Sequence, residues 1–279
     1  MSASLPRPGC RLKTVRVGGA HGAFSLTHIQ HDARRFAPHF FSTYAVGVCE
    51  SGTCSVMTPR GSWTASPGSV LAFSPNELHW AQVTSDDAYA YRVAYLSADC
   101  VHGLGLDAFS RYASMTPSLI PVTEASSLAL QFLRAHRDVS GDPGSTLAAA
   151  HLMDCTRQLL RSASGPAERT RSTRDLTLVE VAKTFLTEHI GRRVGLDAVA
   201  DACGVTAFHL IRVFRRVTGL SPYAYLIVLR VNEARRLLDA GAAVSDAVYS
   251  CCFSDQSHLT RIFKRTLGMP PGLYLRASR

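Results

Sequence analysis

The sequence has no run of eighteen or so uncharged apolar residues, the length a membrane-spanning helix needs, so no membrane partner is expected. Its first residues, MSASLPRPGCRLK, lack the apolar stretch and cleavage site of a secretory signal, which makes the cytoplasm the expected compartment. Cysteine is present but unorganised. Eight are scattered, and neither Cys49 and Cys54 nor the neighbours Cys251 and Cys252 belong to a set at zinc-ligand spacing. Reduced thiols are therefore expected, with no metal and no cofactor. Acidic residues are the scarcer charge, 21 Asp+Glu against 30 Lys+Arg, for a formal net charge of +9. A hydrophobic content of 46% excludes a mainly disordered chain, and 279 residues suffice for two ordinary domains.

The basic excess is unevenly placed. Residues 171–279 hold 16 Lys+Arg against 9 Asp+Glu, while residues 1–170 hold 14 against 12. A segment enriched in positive charge points to a polyanionic partner, bound by counterion release from phosphates.

Turn signals punctuate residues 40–97 every eight or so positions: Ser51-Gly52, Pro59-Arg60-Gly61, Pro67-Gly68, Pro75-Asn76 and Ser85-Asp86-Asp87. The runs between them, Thr43–Val48, Cys54–Thr58, Val70–Phe73 and Tyr89–Leu96, are β-prone. In the last, Tyr89, Tyr91, Val93 and Tyr95 alternate with Ala90, Arg92 and Ala94, which suits an antiparallel sandwich or small barrel. Residues Ser126–His136 and Ser145–Arg161 read as two helices broken at Gly141-Asp142-Pro143-Gly144. This α-hairpin is expected either to pair two chains in a homodimer or to pack back onto the sheet. The polar stretch 162–174 reads as a linker between a domain of residues 1–161 and one of residues 175–279.

The second domain reads as all helix, with two helix-turn-helix units at about 196–219 and 244–268. In the first, Leu196, Val199 and Ala200 form an apolar stripe, and Ala200 and Gly204 supply the small contact residue and the turn glycine that such a corner needs. Thr206 is expected to cap the next helix, which buries Leu210, Val213, Phe214 and Val217 and stops at Gly219. The pattern recurs: LIRVFRRVTGLSPYAYL aligns with LTRIFKRTLGMPPGLYL. Ser254 is the expected cap of the repeat, Leu259, Ile262, Phe263 and Leu267 its stripe, and Gly268 its stop. Between the units Pro222–Ala240 reads as one helix spanning roughly 27 Å, near the 34 Å repeat of the major groove.

Residues 196–276 resemble the DNA-binding domain of the AraC/XylS family of bacterial regulators. The segment FSDQSHLTRIFKRTLGMPPGLYLR carries most of that likeness. The resemblance implies a domain whose two recognition helices enter successive major grooves, in a transcription activator that contacts RNA polymerase. The chain departs from the family in the second unit, where Val248 and Cys252 stand in place of an alanine and a turn glycine. A non-glycine residue at positive φ costs on the order of 1 kcal/mol, and bulk at the alanine position is expected to push the helices apart.

Recognition helices read bases near their N-terminal halves and meet phosphates farther along. The expected base contacts are Phe208, His209 and Arg212 in the first helix and Asp255, Gln256 and His258 in the second. Arg215, Arg216, Arg261, Lys264 and Arg265 are the expected phosphate contacts. An internal salt bridge is the competing reading of Arg212 and Arg261.

The segment His39–Trp80 resembles the cupin-like sensor barrel found ahead of such DNA-binding domains, through PHFFSTYAVGVCESG and PGSVLAFSPNELHW. The expected fold is thus an N-terminal all-β cupin-like barrel with an appended α-hairpin and a C-terminal all-α domain. Cupin enzymes hold a metal with an H-x-H pair, a glutamate and a later histidine. Here His39 precedes Phe40 and Phe41, leaving only His39, Glu50 and His79. The expected role of the barrel is an apolar pocket for a small effector, with His39 and His79 among its polar groups or merely at its rim. Two other functions stay in view: a cupin metalloenzyme fused to a DNA-binding domain, and an architectural protein binding DNA without sequence preference.

Overall fold

A computed structural model describes residues 11–18, 23–31, 35–59, 61–106, 118–120, 122–162 and 173–277. The chain divides into two compact units, Met1–Glu168 and Arg169–Leu275. Most of the expected linker, residues 163–172, lies outside the described residues, as does Arg60 of one expected turn.

The first unit contains ten strands among the described residues. They are β1 (Arg11–Val17), β2 (Phe24–His31), β3 (Arg35–His39), β4 (Tyr44–Ser51), β5 (Cys54–Thr58), β6 (Gly61–Ala65), β7 (Val70–Phe73), β8 (His79–Val83), β9 (Tyr89–Leu96) and β10 (Ser118–Ile120). All pairings are antiparallel, in a six-stranded sheet of order β1-β2-β9-β4-β7-β10 and a four-stranded sheet of order β3-β8-β5-β6. The four strands expected from the sequence are present, and the turn residues Gly52, Gly68 and Asn76 take the positive φ that tight corners require.

Alternation sorts side chains into two cores. Ile29, Ala45, Cys49, Leu71, Phe73, Tyr89 and Val93 face the smaller sheet, which contributes Phe36, Cys54, Val56, Ala65 and Val83. The other face of the large sheet, with Leu26, Val46, Val48, Val70, Ala72, Ala94 and Leu96, is covered by helices α1 (Ala98–Gly103), α2 (Val122–Gly141) and α3 (Thr146–Ser162). β7 is buried at all four positions, which explains its unbroken apolar run VLAF. The hairpin α2–α3 therefore packs back onto the sheet, through Phe132, Leu133, Val139, Leu152, Leu159 and Leu160. Burying each such side chain contributes roughly 1.5–3 kcal/mol.

The second unit is helical: α4 (Thr173–Glu188), α5 (Leu196–Ala202), α6 (Ala207–Thr218), α7 (Pro222–Asp239), α8 (Val244–Ser250), α9 (Gln256–Leu267) and α10 (Pro271–Ala277). The sequence repeat is a structural repeat. Leu210, Val213 and Phe214 of α6 are fully buried, as are Leu259 and Phe263 of α9. Phe214 meets Tyr225 edge-on at 5.4 Å, and Phe263 meets Tyr274 in the same way at 5.5 Å. Both helices end at a left-handed glycine, Gly219 with φ 79° and Gly268 with φ 80°. α7 starts with Pro222 behind the cap Ser221, whose hydroxyl accepts from the Ala224 amide, and Gly241 lies just past its end.

The cap of α9 differs from expectation. The Thr206 hydroxyl accepts the His209 amide at 3.3 Å, but in the repeat Asp255 accepts the His258 amide at 2.7 Å. Ser254 instead donates its hydroxyl to the other Asp255 carboxylate oxygen. The second corner, Cys251 to Asp255, is one residue longer than Cys203 to Thr206, and this shifts the cap from Ser254 to Asp255.

Candidate nucleic-acid interface

Each unit of the repeat presents one helix outward. On α6, Phe208 is 77% exposed, Arg212, Arg215 and Arg216 are exposed, and His209 is half-buried. On α9, Asp255, Gln256, Arg261, Lys264 and Arg265 are exposed and His258 is half-buried.

Arg212 and Arg261 occupy the same register, and both are exposed and without an ion pair among the described residues. Arg216 does have a partner: its guanidinium meets Asp175 of α4 at 2.5 Å. At such exposure that pair contributes little. Asp255 is engaged as a cap, and the His258 amide and the Ser254 hydroxyl hold its carboxyl below the usual carboxylate range. His258 also meets the Ser254 hydroxyl through Nδ1 and stands edge-on to Phe253.

The 49-residue register pairs Arg212 with Arg261 and His209 with His258, and it pairs Phe208 with Ser257. Ser257 is exposed and was not singled out from the sequence. The signal was available, because extending the repeat alignment backwards from Leu210 and Leu259 reaches Thr206 against Asp255.

The supporting helices answer the expectation about Val248 and Cys252 in two ways. Cys252 has φ 54°, in the left-handed region, where Gly204 of the first unit has φ 63°. A side chain at Gly204 would meet no atom within 4 Å, so the positive φ, not crowding, is what calls for glycine at this corner. The crowding expected from Val248 does not arise. Val199-Ala200 is followed in the repeat by Ala247-Val248, the same two side chains in reverse order. Ala247 is fully buried against Leu259 and Phe263, and Val248 is left half-buried at the edge. Replacing Cys252 with glycine should relieve about 1 kcal/mol of strain and raise the melting temperature of this unit by roughly 4–8 °C, read by calorimetry. An unchanged melting temperature would show that the corner tolerates Cys252 without strain.

In the first unit, His39 and His79 lie directly opposite in the β3–β8 register, ring centroids 4.2 Å apart. The Nδ1 of His39 donates to the Ala37 carbonyl at 2.8 Å and that of His79 to the Glu77 carbonyl at 2.9 Å. The His79 ring stacks on Phe73 at 3.9 Å and lies near Phe41. Burial, with the neighbouring His39, keeps His79 neutral by pushing its pKa well down. Both rings are more deeply placed than the rim position weighed for them, at 8% and 5% exposure. Glu50 does not join them. Its carboxylate meets His28 at 3.0 Å, Arg92 at 3.1 Å and Arg137 of α2, on the helix-covered side of the large sheet. The three residues left of a cupin metal set are thus apart, with His39 and His79 on neighbouring strands of the smaller sheet and Glu50 on the helix-covered face of the larger.

A model of the AraC-like ligand binding domain matches residues 21–155, and one of a helix-turn-helix domain matches residues 199–277. The chain belongs to the AraC family of transcription regulators. This AraC-family chain is 26% identical over 221 residues to the uncharacterized HTH-type transcriptional regulator YbfI of Bacillus subtilis, covering 76% of itself and 77% of that protein. A shorter match of 96 residues at 25% identity, 33% of this chain and 46% of the relative, is to the bifunctional transcriptional activator/DNA repair enzyme AdaA of the same organism. Among solved structures, ToxT from Vibrio cholerae matches over 96% of the chain and 98% of its own length, with a TM-score of 0.57 at 14% identity, which shows a shared fold. The regulator thus combines a ligand-binding β domain with a helix-turn-helix DNA-binding domain.

Proposed function

We propose that this regulator is a one-component switch that reads two DNA elements with α6 and α9 when a small organic effector occupies the β domain. The observation that carries the reading is the structural repeat: two helices with the same cap position, the same glycine stop and the same exposed basic register, joined by an 18-residue helix. Phe208, His209 and Arg212 are the base readers of the first element. Phe208 packs on a thymine methyl and Arg212 reaches guanine O6 and N7. In the second element Gln256, Ser257 and His258 read bases, presented by Asp255 as their cap. Arg215, Arg216, Arg261, Lys264 and Arg265 take phosphates.

The effector reading draws support from the aromatic and histidine cluster His39, Phe41, Phe73 and His79 between the sheets. ToxT, of the same fold, has been solved with an unsaturated fatty acid bound. Effector binding shifts an equilibrium between DNA-competent and incompetent states, and activation proceeds through RNA polymerase in the cytoplasm. The chain performs no catalysis in this reading, and a homodimer places two copies on one promoter.

Genome-wide mapping of bound DNA tests it. The expected result is a motif of two short elements about one helical turn, roughly 10–10.5 base pairs, apart. Binding spread without a motif, at a specificity ratio near one, would instead mark an architectural protein.

A further inference from the structure

Arg230 sits mid-way along α7 and is 6% exposed, an unusual place for a guanidinium. Among the described residues no carboxylate pairs with it. It donates instead through Nε to the Ile190 carbonyl at 3.0 Å and through Nη2 to the Arg192 carbonyl at 2.5 Å. Those carbonyls lie just past the C-terminus of α4, where the helix dipole is negative and a cation is favoured. The turn that they belong to also approaches the second unit of the repeat. A side-chain carbon at Gly191 would lie 2.9 Å from the carbonyl oxygen of Ser250, the last residue of α8, closer than van der Waals contact permits. The turn 190–192 is thus gripped by α7 on one side and pressed against the end of α8 on the other, while leading directly into α5. It is joined through residues 193–195 to α5, the supporting helix of the first reader, and lies against the end of α8, that of the second.

We infer that Arg230 and the Gly191 turn fix the angle between the two DNA-reading helices, making Arg230 a positioning residue for DNA specificity that contacts no base. A buried charge satisfied only by neutral carbonyls is poor value for stability, since an apolar side chain of similar volume avoids its desolvation cost. Its fork geometry is what a fixed orientation needs. Two carbonyls held by one planar group define both distance and angle, which a lysine ammonium does not. Rigid coupling also has a functional return, because a second reader already aligned binds as an intramolecular event at high effective concentration. The inference rests on the two-reader function proposed above.

The test uses the full-length chain and DNA recovered by it from a random duplex pool. Three probes are compared: the full recovered site, the half at which Arg212→Ala changes base preference, and the full site with one base pair inserted between its halves. The inserted pair rotates one element by roughly 34° against the other. For Arg230→Lys and for Gly191→Ala, half-site affinity is expected within about twofold of wild type and full-site affinity at least about tenfold weaker. The wild-type penalty for the inserted pair should shrink in both variants. Equal losses on half and full sites would overturn the inference by showing that the turn only supports folding. Unchanged full-site affinity with an unchanged insertion penalty would overturn it as well. A wild-type site with a single element overturns the two-reader function itself, and this inference with it.

Discussion

Arg212→Ala is expected to relax base preference at one position of the recognised DNA while leaving the salt dependence of binding nearly unchanged. Arg212 is exposed, free of ion pairs among the described residues, and one turn into α6 beyond the exposed Phe208. A bidentate arginine–guanine pair is worth about 1–3 kcal/mol against the wrong base, which corresponds to roughly five- to 150-fold in discrimination. Arg215→Ala, on the same face but a turn later, is the internal control. It should weaken all sequences alike and lower the salt slope by about one. Competition binding against every single-base variant of the recovered site, at two salt concentrations, separates the outcomes. A uniform loss for Arg212→Ala with a shallower slope would move it to the phosphates, leaving Phe208 and His209 to read the first element.

The C-terminal unit is legible in the sequence at the level of single residues. Its two recognition helices are strongly amphipathic, and Thr206, Pro222, Gly219, Gly241 and Gly268 mark the helix ends, so periodicity and caps agree. The one cap misplaced, Ser254 for Asp255, shows where local preference fails. Serine and aspartate cap equally well, and only the repeat register, with one extra residue in the second corner, decides between them. Val248 shows the complementary limit. Set against a single position, Val248 implies overpacking, but the structure absorbs it by exchanging the roles of neighbours, with Ala247 taking the buried place.

The β unit was less legible, for a different reason. The four strands read from the sequence carry either strict alternation, as Tyr89–Leu96 does, or a continuous apolar run, as Val70–Phe73 does. β3 contains Pro38, β6 is mostly exposed and β8 begins with His79, so none shows a period. Their identity as strands comes from pairing with segments distant in sequence. The same non-local logic hid the fate of Glu50. In the sequence it lies between two histidines, but alternation along β4 turns it to the helix-covered face, away from both.

That face carries the largest stability effect expected of the chain, a loss on acidification. His28, Glu50 and Arg92 come from the neighbouring strands β2, β4 and β9, and meet His136 and Arg137 of α2. His136 is fully buried, and its Nε2 donates to the Val93 carbonyl at 3.3 Å. Its Nδ1 faces the Arg92 guanidinium at 3.5 Å, so a second proton there is opposed. Burial first, and Arg92 second, lower its pKa to about 4 from an ordinary value of 6.5. A depressed folded-state value means that the unfolded chain takes up the proton first. The stabilisation is therefore complete above pH 6.5 and is lost as pH falls towards 4. A difference of this size corresponds to about 3 kcal/mol. Buried His79 acts in the same direction. Glu50 extends the loss further into acid, since Arg137 and Arg92 outweigh its burial and hold its pKa down. Both tryptophans, Trp63 and Trp80, lie in this unit, so their fluorescence during urea unfolding reports on it alone. Between pH 7 and pH 4 the wild type should lose at least about 3 kcal/mol, and His136→Gln, which keeps a donor for Val93 but cannot titrate, should lose correspondingly less. Equal slopes for the two proteins would mean that His136 is not the group that charges.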